Sequence, residues 1–397
     1  MVTLPAEHNL IHHFKPQNVL SFGPDFVGID LASLNILIGP NGSGKSNLIE
    51  AINLLRAAPV DLEAVTRLGG GVSEWAWKGN AAAPAVLECT SSNVDGQSTL
   101  NHALEFTVVS QQFRIWDERI GFSGPVPTGK NAECYRGFRS GNPELFVASN
   151  PGSKWIPCEV AMQKESIISQ VKYPRIFPEL SRLAENYAGI RIYGEWAFGR
   201  RAVFREPQKA DMRNDVLEED FSNLGLVLNR LKTRYPAAKK AILNGLKDLY
   251  DGIQDFDVLV EGGTVQVFFT EGDFVIPATR LSDGTLRYLC LLAILCDPTP
   301  PPLICIEEPE LGLHPDILPN LADLLISASE RTQLIVTTHS DILVDAMTER
   351  PDAVVVCEKH DGKTEMNRLS PEALAVWLDK YRLGQLWIDG QIGGKRW

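Results

Sequence analysis

The sequence predicts an α/β fold with a mostly parallel core sheet, an antiparallel β-subdomain and a helical lobe. Three observations predict it. A strand, a glycine-rich loop and a helix follow one another over residues 34–57. Two short apolar runs, Leu303–Ile306 and Leu334–Val336, each lead into chemistry-bearing residues, as buried parallel strands do at their C-terminal ends. Residues 84–160 carry short apolar-rich runs between turn residues, the pattern of antiparallel strands.

The first of these is the most informative. Gly39-Pro40-Asn41-Gly42-Ser43-Gly44-Lys45-Ser46 fits G-x-x-x-x-G-K-[ST] residue for residue, with apolar Leu34–Ile38 before it and the helical pattern of Leu48, Ile49, Ile52 and Leu55 after it. The glycines let successive N–H groups point into one concavity, and the helix N-terminus adds its partial positive charge. Lys45 is placed for the β- and γ-phosphates of a nucleotide and Ser46 for Mg²⁺. These residues, with Asn47 behind them, are the expected nucleotide cradle. A glycine-rich turn that binds nothing would not need those flanks.

The second observation supplies carboxylates. Leu303–Ile306 runs into Glu307-Glu308-Pro309. Glu307 is expected to hold Mg²⁺, directly or through water, and Glu308 to polarise an attacking water. Leu334–Thr338 ends in His339. Leu281-Ser282-Asp283-Gly284-Thr285 opens a helix through Leu289, Leu292 and Ile294, with Ser282 or Asp283 as its N-cap.

These four pieces in this order resemble the ABC-type ATPases, and within them the RecF/SMC-like branch of AAA-family ATPases. The residues that carry the resemblance are the phosphate-binding loop, Leu281–Thr285 as the signature loop, Glu307-Glu308-Pro309-Glu310 as Walker B, Leu311-Gly312-Leu313-His314-Pro315 as the D-loop, and His339 as the switch histidine. The segment Leu386-Trp387-Ile388-Asp389-Gly390-Gln391-Ile392-Gly393-Gly394 is similar to that group's tail. Together they cover about residues 8–57 and 275–397. The resemblance implies one ATPase head: lobe I over 1–160, a helical and β insert over 161–275, and lobe II over 276–397. It implies ATP and Mg²⁺ as cofactors, and a homodimer in which Ser282, Asp283 and Gly284 of one subunit cover the nucleotide of the other. Glu308, His339 and Lys45 would be the catalytic groups, and Ser46 and Glu307 the metal ligands. A separately encoded nuclease or effector, or DNA, would be the partner, in bacterial DNA repair or phage defence. Two departures from the transporter pattern, Asp283 for Gly and Glu307 for Asp, are compatible with slow turnover. They keep open an ATP-gated sensor or scaffold with negligible turnover; a transporter ATPase subunit is the further alternative.

The remaining features bound these readings. A net charge of −12 argues against nucleic-acid binding by the whole surface. The seven cysteines lack metal-ligand spacing and read as a reduced set, with Cys290, Cys296 and Cys305 as small core residues. No signal peptide or membrane-spanning run is apparent, so a cytoplasmic protein is expected. Prolines recur from Pro59 to Pro207, which excludes a long coiled coil from the insert.

Along the chain, residues 16–38 read as two strands around Phe22–Asp25, 165–250 as helical with Pro236 at a helix start, and Val258–Val260 with Val265–Phe269 as a hairpin. Gln163 and Gln170 are the candidates for a glutamine that senses the nucleotide. His12-His13 reads as a surface pair. The basic and aromatic stretch Arg191, Tyr193, Trp196, Phe198, Arg200, Arg201, Phe204, Arg205, Lys209 and Arg213 fits phosphate contact and base stacking, but reads first as a solvated face balanced by Asp211, Asp215 and Glu218–Asp220.

Overall fold

The computed structural model describes residues 9–80, 83–92, 98–123, 133–139, 142–147, 154–156, 164–175, 177–197, 199–200 and 202–394. The chain divides into two compact units. One is drawn from the residues up to Ile190, Val355–Leu369 and the segment from Ile392; the other from Arg191–Val354 and Ser370–Gln391.

In the first unit, β1 (Ile11–Gln17), β2 (Ile29–Asp30) and β3 (Leu34–Ile38) lead into α1 (Lys45–Ala57). Every residue of β3 is buried, and α1 buries Leu48, Ile49, Ile52 and Leu55, so strand and helix both belong to the core. Two short helices follow, α2 (Leu62–Leu68) and α3 (Val72–Trp75), parted at Gly69–Gly71. Then come β4 (Ala85–Ser92), β5 (Thr99–Val109), β6 (Gln112–Ser123), β7 (Glu133–Arg139), β8 (Asn142–Val147) and β9 (Lys154–Ile156). They form an eight-stranded sheet in the order β2-β1-β4-β5-β6-β7-β8-β9, antiparallel at every pairing. Alternate residues of β4 point inward (Ala85, Leu87, Cys89), as one buried sheet face requires. Two helices complete this stretch, α4 (Ile167–Gln170) and α5 (Pro178–Gly189). The α5 residue Tyr187 is fully buried, with its hydroxyl 3.2 Å from Nδ1 of His102 on β5.

The second unit begins with β10 (Arg191–Tyr193) and β11 (Gln208–Lys209), then α6 (Leu224–Arg234), α7 (Pro236–Leu249), β12 (Ile253–Glu261), β13 (Thr264–Glu271) and β14 (Phe274–Pro277). The helix α8 (Asp283–Leu295) precedes β15 (Leu303–Glu307), α9 (Leu318–Ala328), β16 (Gln333–Thr337) and α10 (Asp341–Ala346). Strands β10, β15 and β16 are parallel neighbours, with Glu307 beside Thr337. Strands β12 and β13 form a hairpin whose turn, Gly262-Gly263, has φ of 58° and 78°, the primed geometry that a two-residue hairpin needs. The chain returns to the first unit in β17 (Val354–His360) and β18 (Lys363–Arg368), which pair antiparallel. The helices α11 (Pro371–Leu378) and α12 (Leu383–Ile388) belong to the second unit, and α12 packs on α10, where Leu383 N donates to Thr348 Oγ1.

The strands expected around Phe22–Asp25 are present, β1 before it and β2 and β3 after it. Between them the chain doubles back in a turn: Asn18 and Leu20 have φ of 53°, and Gln17 Nε2 donates to the carbonyls of Pro24 and Phe26. Two expectations need correction. The span 165–250 is interrupted over 191–223, where Ile190-Arg191-Ile192-Tyr193 enters a parallel strand and Gly194 and Gly199 end helical periodicity. His12 is half-buried, its Nε2 lying 2.8 Å from Ser92 Oγ, whereas His13 pairs with Asp30 at 2.7 Å.

Candidate functional site

In the first unit the phosphate-binding loop is shaped by three glycines in backbone regions that other residues rarely enter: Gly39 at φ 145°, Gly42 at 78° and Gly44 at 103°. Two are also confined by space. A Cβ on Gly39 would lie 2.1 Å from the carbonyl oxygen of Cys357, and one on Gly44 2.1 Å from Thr364 Oγ1. Gly42 faces open space. Gly44 stands at the N-cap of α1 without a side-chain cap, which leaves the helix N-terminus to an anion.

Neighbouring elements brace the loop. Thr364 Oγ1 on β18 donates to the Ser43 carbonyl at 2.9 Å and lies 2.6 Å from Ser21 Oγ, which in turn accepts from Asn47 Nδ2 at 2.6 Å. Lys45 is buried, its ammonium donating to the carbonyls of Gly39 and Pro40 at 2.8 and 3.1 Å. Ser43 Oγ is buried without a hydrogen-bond partner, while Asn41, Gly42 and Ser46 are exposed. An orphaned hydroxyl, a held ammonium and a bare helix N-terminus fit a polyphosphate.

In the second unit, Glu307 ends β15 and Glu308 follows at φ 46°, a left-handed conformation that costs a non-glycine residue about 1 kcal/mol. Glu308 N donates to the Thr337 carbonyl at 3.0 Å. Its Oε1 lies 3.6 Å from Nε2 of His339. The His339 backbone is held by Glu310, whose Oε1 accepts from His339 N and Thr338 Oγ1, both at 2.8 Å. The other Glu310 oxygen is buried with no hydrogen-bond partner. A Cβ on Gly194 would lie 2.9 Å from Glu307 Oε1, so the glycine keeps the space beside that carboxylate open.

The Leu281–Thr285 loop is capped as expected: Ser282 Oγ accepts from Thr285 N at 3.1 Å. Asp283 is not open to solvent alone. Arg205 Nη2 donates to its carboxylate at 2.5 Å, and Arg205 Nη1 also holds the carbonyls of Thr279 and Leu281. The carboxylate that replaces glycine in the transporter pattern is thereby neutralised. Gly284 lies against the Leu311–Pro315 loop, where a Cβ would sit 2.8 Å from the Gly312 carbonyl.

Several of these residues escape a reading of motifs. Arg287, Gly194 and Thr364 belong to the two clusters without standing in any motif, and Trp196 and Arg205 stood only in the basic and aromatic stretch. The one clear signal is Arg287, a lone cation in the otherwise apolar run Leu286–Leu295. The basic and aromatic stretch has uses inside its own unit: Tyr193 is buried, Trp196 stacks on Arg287 and Phe221, Arg205 holds Asp283, and Arg213 holds Asp215, whose carboxyl is lowered to about 2 by that contact. Phe198, Arg201 and Gln163 lie outside the described residues, and the Gln170 amide donates to the Glu165 carbonyl. Among the described residues no three His, Cys, Asp or Glu side chains gather as metal ligands, and no helix is long and apolar enough to cross a membrane.

A protein-family model described as "AAA domain, putative AbiEii toxin, Type IV TA system" matches residues 34–87 and 195–345, more than half of the chain. The chain belongs to this AAA_21 family. The match takes in the phosphate-binding loop, Leu281–Thr285, both carboxylates and His339. No curated protein matches the sequence. Among solved structures, an Smc head bound to the C-winged helix domain of ScpA is similar with a TM-score of 0.55 at 15% identity, covering 92% of this chain and 99% of that one. An Smc head with an extended coiled coil, bound to the C-terminal domain of ScpA and derived from Pyrococcus furiosus, has a TM-score of 0.54 at 14% identity, covering 94% and 99%. The fold is that of an SMC-head P-loop ATPase, the ABC-type, RecF/SMC-like architecture that the motifs imply.

Proposed function

We propose that the protein binds ATP with Mg²⁺ and hydrolyses it, and that the nucleotide controls association of two copies and the engagement of a partner effector. The observation that carries this reading is the phosphate-binding loop itself, with three glycines in the required conformations, the Lys45 ammonium held within it and Ser43 Oγ left over. Lys45 and the N–H groups at the start of α1 bind the phosphates. Ser46 and Glu307 would hold Mg²⁺, which neutralises phosphate charge. Glu308 accepts a proton from the water that attacks the γ-phosphorus. The bond to the β–γ bridging oxygen breaks, leaving ADP and inorganic phosphate. His339 contacts the γ-phosphate.

In the dimer that the ABC resemblance implies, Ser282, Asp283 and Gly284 of one copy cover the nucleotide of the other. With Arg205 and Arg213 engaged on carboxylates and an acidic chain overall, a protein effector fits better than DNA as the partner. Smc heads bound to ScpA domains, and a family described with a toxin–antitoxin system, support a protein partner and a defence setting. Phosphate release with purified protein, alongside ATP affinity of wild type and Lys45→Ala by calorimetry, tests the reading. Turnover that is lost together with ATP affinity in Lys45→Ala is expected. ATP binding with no turnover would favour the sensor reading, and unchanged affinity in the variant would overturn the assignment of the loop.

A further inference from the structure

Glu308 is held from three directions. Its own N–H donates to the Thr337 carbonyl at 3.0 Å. The carbonyl of Glu307, in the same peptide unit, accepts from the indole N–H of Trp196 at 2.7 Å. The carbonyl of Glu308, in the next peptide unit, accepts from Arg287 Nη2 at 2.9 Å. Both peptide planes that flank the Glu308 Cα are therefore pinned. When both planes are fixed, so is the direction of Cα–Cβ, and with it the reach of the carboxylate.

The two donors form one body. The Arg287 guanidinium lies 4.4 Å from the Trp196 ring centroid, and Trp196 stacks in turn on Phe221 at 5.2 Å. Arg287 is buried at 7% exposure, where a cation–π contact is worth about 2 kcal/mol and a planar fork holds one orientation. Burial lowers its pKa to about 10 against the pull of Glu310 and Glu308, so the group is still a cation at neutral pH. A left-handed glutamate does not keep that conformation unaided.

We propose that the stacked pair Trp196–Arg287 is a positioning clamp for the catalytic carboxylate: it holds Glu308 in its left-handed backbone conformation and so aims the side chain at the attacking water. Neither residue touches the nucleotide in this role. The proposal rests on the ATPase reading for its effect on rate, and on the backbone geometry alone for its effect on the loop.

The test uses the full chain. Trp196→Phe keeps the ring over Arg287 and removes only the N–H donor. Arg287→Lys keeps the charge and removes the planar fork. Each is expected to lower kcat at least tenfold with KM for ATP within twofold, and to speed hydrogen exchange at the amides of Glu307, Glu308 and Glu310 tenfold or more, with exchange in the phosphate-binding loop unchanged. In a Glu308→Gln background the same substitutions should lower the residual rate no further, because a clamp has nothing left to aim. Wild-type kcat and wild-type exchange in Trp196→Phe would overturn the proposal. So would equal losses with and without Glu308, which would mark a merely structural role. If the wild type shows no turnover, the ATPase reading fails, and exchange at Glu307, Glu308 and Glu310 alone decides the clamp.

Discussion

Gly284, at the start of α8, faces the carbonyl oxygen of Gly312 so closely that a Cβ on Gly284 would lie 2.8 Å from it. The obstacle is backbone, which cannot rotate away. Gly284→Val is expected to destabilise the fold by ~1–3 kcal/mol, the range for overpacking. It should also shift the D-loop at Leu311–Leu313. Thermal unfolding measures the first effect and hydrogen exchange the second; a variant as stable as wild type with an undisturbed D-loop would contradict the contact.

Glu308→Gln is expected to keep ATP binding and lose hydrolysis by roughly 10²–10⁴-fold, since an amide of the same shape cannot accept the water's proton. Calorimetry and phosphate release read the two properties separately. Hydrolysis at the wild-type rate would move the role to Glu307.

Ser282→Arg removes the N-cap that Thr285 N uses and places a bulky cation at the start of α8. A loss of ~1 kcal/mol of stability is expected from the cap. ATP binding by the same subunit should survive, while closure across the dimer should fail. Mixing this variant with Lys45→Ala gives heterodimers in which one interface joins both defects and the other has neither. Up to one working site per heterodimer should return. ATPase rate against mixing ratio is the measurement. Full activity of Ser282→Arg alone would remove the signature assignment.

Burial raises the thiols of Cys89 and Cys357 to about 12, that of Cys296 to about 11, and that of Cys290 as well. At pH 8 a thiol with such a pKa is a thiolate only about one part in 10³–10⁴ of the time. Native protein treated with iodoacetamide at pH 8 should show no adduct at these four positions by mass spectrometry, and full modification after denaturation. Rapid labelling of Cys357 in the native state would contradict its burial beside the phosphate-binding loop.

Legibility followed sequence distance. The phosphate-binding loop, the Ser282 cap, the Gly262-Gly263 turn and the strand that ends at Glu307 are contiguous, and each is dictated by its own backbone. Glycines at positive φ, a hydroxyl three residues before the N–H it caps, and a run of β-branched and apolar residues are local facts, readable without a fold. The reversal around Phe22–Asp25 was readable as a break between strands, whereas its bracing by Gln17 through the carbonyls of Pro24 and Phe26 was not.

By itself the sequence determined which chemistry is present: a phosphate cradle around Lys45 and Ser46, two carboxylates closing a buried strand, and a histidine closing another. The tertiary structure alone decided what aims that chemistry. Trp196 reaches the Glu307 carbonyl across 111 residues of chain, Thr364 reaches the Ser43 carbonyl across 321, and Arg205 meets Asp283 across 78. A side chain that bonds a distant backbone carbonyl leaves no spacing and no periodicity behind. Basic and aromatic residues look the same in sequence whether they face a nucleic acid or lock a glutamate. Burial separates the two, and burial is settled only when the strands and helices pack.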